Sequence, residues 1–145
     1  MMSSAYCLKQ ISGQVKDAGY DISSVRIREA CLSNNFDVSA ATNKLICEEQ
    51  LKVYLEKLCV KMGHNPNKKF ILCSCDRFKF QTAKTEQYII KLLKSRNKVF
   101  AKCTKHNIYI SNTELDDVVI KAFGNESCAF NSIRMDHSNF QGHRL

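Results

Sequence analysis

Apolar residues recur every three or four positions along much of the chain, and that spacing puts one apolar stripe on each of a series of helices. Leu8, Ile11, Val15 and Ala18 predict a first helix over residues 5–18, stopped by Gly19. Ser23 or Ser24 caps a second helix, whose inward face is Ile27, Ala30 and Cys31 and which ends near Asn34-Asn35. Asp37 opens a third, because its carboxylate accepts the free amide hydrogens of the first turn while Val38, Ala41 and Leu45 turn inward. A fourth, from about Cys47 to Met62, carries Leu51, Leu55, Leu58 and Cys59 on one face and either continues the third helix or packs back on it.

After Gly63 and a turn at His64-Asn65-Pro66-Asn67 the reading changes. Residues 70–80, rich in Phe, Ile and Cys with a bend at Asp76, read as a strand. A helix over residues 82–96 follows. Residues 98–103 and 107–111 then alternate like a hairpin, Val99, Ala101 and Cys103 against Ile108 and Ile110, about a turn at Thr104-Lys105-His106. Ser111-Asn112-Thr113-Glu114 is a capping box that opens a sixth helix, closed by Gly124. Residues 125–145 are polar and read as a loose tail. No internal repeat stands out. The expected fold class is α+β: a helical bundle over 1–47, a connecting helix over 48–63, a small strand–helix–hairpin–helix unit over 64–124, and the tail.

Within the first segment, Val15-Lys16-Asp17-Ala18-Gly19-Tyr20, then Ala30-Cys31, Asp37-Val38, Ala41 and Leu45-Ile46, follow one another in a familiar order. This order resembles the ubiquitin-associated (UBA-like) three-helix bundle, over residues 4–47 only. The resemblance implies a protein-interaction module, ubiquitin being the implied partner, with a binding patch formed by Ala18, Gly19, Tyr20, Leu45 and Ile46. The same spacing also fits a three-helix bundle of any other kind.

Composition narrows the class. With 44% hydrophobic and 25% charged residues and one proline among 145, the chain is neither collagen-like nor disordered. No apolar run approaches the ~20 residues that span a bilayer, and the N-terminal residues do not read as a signal peptide, so a cytoplasmic or nuclear protein is expected. In such a compartment the 8 cysteines are free thiols or metal ligands, and Cys7, Cys31, Cys47 and Cys59 read as small buried hydrophobes.

Charge is concentrated. Between Lys57 and Lys105, 13 basic residues face only Asp76 and Glu86, a local net charge of +11 in a chain of +8. On the helix over 82–96, Lys84, Gln87, Lys91, Lys94 and Ser95 fall on one side and Ile89, Leu92 and Leu93 on the other. Lys68, Lys69 and Lys98 flank it, with Phe78, Phe80, Tyr88 and Phe100 interleaved. Lysines neutralise phosphates and aromatic rings stack on unpaired bases, so this mixture suits RNA or single-stranded DNA. Cys73 and Cys75, alternate residues on the expected strand, together with Cys103 and His106 at the hairpin tip, form a candidate zinc set. His137 and His143 are too sparse to add to it. No nucleophile elbow, P-loop, dinucleotide fingerprint or zincin motif is present, and a non-enzymatic protein is expected.

Overall fold

The computed structural model describes residues 4–142, with side chains through 137. Among them every regular element is a helix: α1 (Ser4–Asp17), α2 (Ser24–Ser33), α3 (Val38–Lys61), α4 (Lys68–Phe78), α5 (Thr82–Lys105), α6 (Asn112–Lys121) and α7 (Glu126–Gly142). No helix among the described residues is long and apolar enough to cross a membrane.

The α+β expectation is therefore overturned. Residues 70–80 are not a strand, because Phe70, Ile71, Ser74 and Cys75 are the buried positions and their spacing has the helical period. Nor do residues 98–103 begin a hairpin. Val99 and Cys103 lie one turn apart on the buried stripe that already runs through Thr85, Ile89 and Leu92, so α5 runs on to Lys105. The alternation at 107–111 is real, with Ile108 buried and Tyr109 fully exposed, but it is a loop leading into α6. β-Branched and aromatic residues misled here, since their strand preference is a preference for half-buried surfaces of any kind. The expected loose tail contains α7, whose Ala129, Phe130 and Ile133 are buried. Cys47 is exposed, unlike Cys7, Cys31 and Cys59.

The chain divides into two units, one through Tyr54 and one from Leu55. In the first, α1, α2 and the start of α3 enclose Cys7, Ile11, Val15, Ile27, Ala30, Cys31, Ala41 and Leu45, with Leu8, Tyr20, Val38 and Ile46 packed around them. Arg26 of α2 reaches both Glu48 (3.0 Å) and Glu49 of α3. In the second unit α5 packs against α4, α6 and α7 and supplies Ile89, Leu92, Leu93, Val99 and Cys103 to the core. Burying each such aliphatic side chain is worth about 1.5–3 kcal/mol.

The boundaries hide a regularity. Helices α2, α4 and α6 begin at residues 24, 68 and 112, helices α3, α5 and α7 at 38, 82 and 126, and helices α1, α3 and α5 end at 17, 61 and 105. Every set is spaced by 44 residues. Local geometry follows the same period: Ser23, Asn67 and Ser111 are side-chain N-caps. Gly19, Gly63 and Asn107 have φ of +93°, +82° and +56°, and the pairs Asn35-Phe36, Lys79-Phe80 and Phe123-Gly124 are left-handed throughout. Ile11, Leu55 and Val99 are buried, as are Ile27, Ile71 and Leu115, and Leu45, Ile89 and Ile133. The described residues thus form a three-fold tandem repeat, and the 24-residue helices α3 and α5 each close one repeat and open the next.

Candidate nucleic-acid interface

Helix α5 decides where the basic residues go. At about 100° per residue, Lys84, Lys91, Lys94, Lys98, Lys102 and Lys105 lie within an arc of about 80°, a strip ~32 Å long. Apart from Lys102, which is half-buried, all are exposed. Lys102 bonds Glu126 at 2.9 Å and sits over the Phe130 ring, and Lys98 is 4.0 Å from the same carboxylate. Lys84, Lys91, Lys94 and Lys105 have no ion-pair partner among the described residues. Glu86 lies about 200° round the helix from Lys84, on the far side.

Two other basic residues are committed to structure. Arg96 donates to Asp116 at 2.6 Å and to Asn112 at 3.0 Å, and Asp116 also accepts from Asn67, so the start of α4 is tied to α5 and α6. Lys69 pairs with Asp117. Lys68 is exposed, but it stands beside Arg96 and Asp116 and away from the strip. Asp116 and Asp117 thus withdraw Arg96 and Lys69 from the candidate surface.

Beside the strip is a cleft of about 340 Å³ lined by Lys91, Lys94, Ser95, Lys98, Gly124 and Glu126. The Lys91 stem lies against Gly124, where an added Cβ would meet its Cγ at 3.1 Å. Next to Gly124, Phe123 is 55% exposed and carries the Arg77 guanidinium over its ring at 4.5 Å. The expected aromatic partners are placed differently. Tyr88 is buried, with Phe78 edge-on at 5.3 Å, and Phe100 falls about 160° from Lys84. Gly124 and Phe123 are the site residues that composition and charge runs pass over; both stand at positions whose left-handed backbone recurs with the 44-residue period.

Compared with protein-family models, with curated proteins and with solved structures, the chain matches none.

The candidate zinc residues do not sit as a strand would place them. On a helix Cys73 and Cys75 point about 200° apart, Cys75 into the core and Cys73 at its edge. Burial pushes the Cys73 and Cys103 thiols up, which opposes the thiolate that zinc needs. The His106 ring packs on Phe130 at 5.3 Å. No group of three or more His, Cys, Asp or Glu among the described residues is arranged to hold a metal ion; His143 lies outside them. On the first unit, Ala18 and Gly19 are exposed, Tyr20 and Ile46 are half-buried, and Leu45 is enclosed in the core.

Proposed function

We propose that the chain is a non-enzymatic binding protein whose second unit holds a nucleic-acid backbone along the lysine strip of α5. The observation that carries this reading is a difference between repeats. The positions on α3 one period before Lys84, Lys91, Lys94, Lys98, Lys102 and Lys105 are Ala40, Cys47, Gln50, Tyr54, Leu58 and Lys61. One helix of this scaffold therefore needs a single lysine where its equivalent carries six. The charge is not a requirement of the fold, and unpaired lysines in line are what phosphate neutralisation uses.

The test is binding of a labelled 20-nucleotide single strand across a salt series. Replacing Lys84, Lys91 and Lys94 together by Gln keeps helix propensity and removes charge. Affinity should fall, and the slope of log affinity against log salt should flatten by about two units, at about 0.7 per phosphate contact. A triple variant that binds like its parent, or a parent that does not bind at low salt, would overturn the proposal.

A second reading, a UBA-like ubiquitin-binding module over residues 4–47, is favoured by the exposure of Ala18 and Gly19 beside Tyr20 and Ile46. Weighing against it, Gly19, Ala41 and Leu45 belong to the positions that recur in the later repeats, so they serve the scaffold first. Titration with labelled ubiquitin, followed by amide shifts, separates the two: shifts at Gly19, Tyr20 and Ile46 support the module, and none at millimolar concentration excludes it.

A further inference from the structure

The repeat supplies its own internal control, so the cleft can be compared with two copies that lack it. Where the third repeat has Gly124, the first two have Phe36 and Phe80, both at positive φ. Where it has Ser95, they have Cys7 and Leu51, both buried and apolar. These two positions adjoin in the scaffold, as the contact of the Cys7 thiol with the Phe36 carbonyl at 3.7 Å shows. The third repeat has thus lost an aromatic ring and gained a hydroxyl at the same spot. That hydroxyl has no partner: Ser95 is 5% exposed and its Oγ makes no hydrogen bond. A buried orphan costs about 1–3 kcal/mol, and this one lines the cleft. A third departure adjoins them. Phe123 stands at φ +52° where the earlier repeats have Asn35 and Lys79, a strained choice for a bulky side chain, and it is exposed.

We infer that this cleft is a nucleotide subsite for single-stranded nucleic acid, in which Lys91, Lys94 and the Ser95 hydroxyl take one phosphate and Phe123, backed by Arg77, takes the adjoining unpaired base. The inference rests on the strip reading above and adds to it a choice of strand type, since a base held in a duplex cannot reach an aromatic face. Lys98 completes the basic wall. Glu126 is the one carboxylate there, and Lys102 and Lys98 neutralise it. The loss of the ring at Gly124 is what makes room: the Lys91 stem occupies part of the vacated space and lines the cleft.

The decisive variant is Gly124→Phe. It restores the residue that Phe36 and Phe80 already accommodate at φ +63° and +60°, so the fold is expected to survive, while the ring fills the cleft and displaces Lys91. Phe123→Ala removes the stacking face alone. Oligothymidylate and a 20-base-pair duplex are the probes, with far-UV circular dichroism as the check on folding. Both variants should weaken oligothymidylate about tenfold or more, and Phe123→Ala should leave the salt slope and duplex affinity unchanged. If the parent binds with the expected salt slope but both variants bind oligothymidylate as tightly as the parent, the subsite is wrong and the strip stands. Equal losses of oligothymidylate and duplex affinity in Phe123→Ala would also overturn it. Thymidine monophosphate tests the subsite without the strip: its titration should shift the Ser95, Phe123 and Gly124 amides, and no shift at millimolar concentration overturns the inference directly.

Discussion

Arg26 shows how single side chains set the stability of the first unit. Its guanidinium joins α2 to two carboxylates of α3, and Lys52 adds a third contact to Glu49 at 3.2 Å. Burial alone would raise the Glu49 carboxyl, but hydrogen bonds from Arg26 and Lys52 outweigh it and hold the group below its ordinary value of 4.5. A carboxyl lowered on folding stabilises above its ordinary value, and that contribution fades as pH falls through the lowered one. Thermal melts between pH 7 and pH 3 should therefore show a loss of stability that Glu49→Gln flattens; parallel curves for parent and variant would remove Glu49 from the account. The caps are a second residue-scale case. Ser111 accepts the Glu114 amide at 3.2 Å, and Ser111→Ala should cost about 1 kcal/mol in urea titration. That cap was legible in the sequence, as was Asp37, and Ser23 was one of two candidates there, because a cap is a local pattern in which side chain and backbone partner lie three residues apart. Ser95 was legible only as a polar residue on the lysine side. That its hydroxyl is buried and unpartnered depends on chain far away in sequence.

At the scale of the element, period was the signal and composition the noise. The first two helices were legible because Leu8, Ile11, Val15 and then Ile27, Ala30, Cys31 keep the helical spacing and each run has a stop, at Gly19 and at Asn34-Asn35, whereas the third and fourth expected helices are one continuous α3. Helices α4 and α5 were misread because Phe70, Ile71, Val99 and Cys103 favour strands by type while their spacing is helical. A single change separates the two readings of residues 98–103. Ala101 is exposed and lies inside α5, so Ala101→Pro removes a helical hydrogen bond and clashes with the preceding turn, at about 3 kcal/mol or more. An exposed hairpin position would tolerate it far better. A variant with unchanged urea midpoint would argue against a continuous α5. The lysine strip exists only because α5 is long: a helix stopping at residue 96 loses Lys98, Lys102 and Lys105 from the row.

For the whole molecule the 44-residue period is the organising fact, and it escaped the sequence because few identities accompany it. Ile27, Ile71 and Leu115 are alike, but Cys7, Leu51 and Ser95 are not, and neither are Gly19, Gly63 and Asn107 beyond their shared left-handed backbone. The scaffold constrains burial, caps and the sign of φ, and many residue types meet each demand. Excising residues 48–91 removes one period and joins the start of α3 to the end of α5, giving a helix of the original 24 residues. The shortened chain should remain helical and unfold cooperatively, with a urea m-value about two-thirds of the parent's because less surface is exposed on unfolding. A chain without helical signal would show that the recurrence is not a set of interchangeable units.

The local packing of the second unit bears on how the chain reaches its folded state. Helices α4 to α7 contact partners next to them or one element away, so no contact among them has to close a long loop before it is rewarded. Chains with such local contacts fold in roughly microseconds to milliseconds. During synthesis, at about 5–20 residues per second, each turn of the pattern therefore has time to settle before the next leaves the ribosome, and the growing end shows its apolar stripe to solvent only briefly.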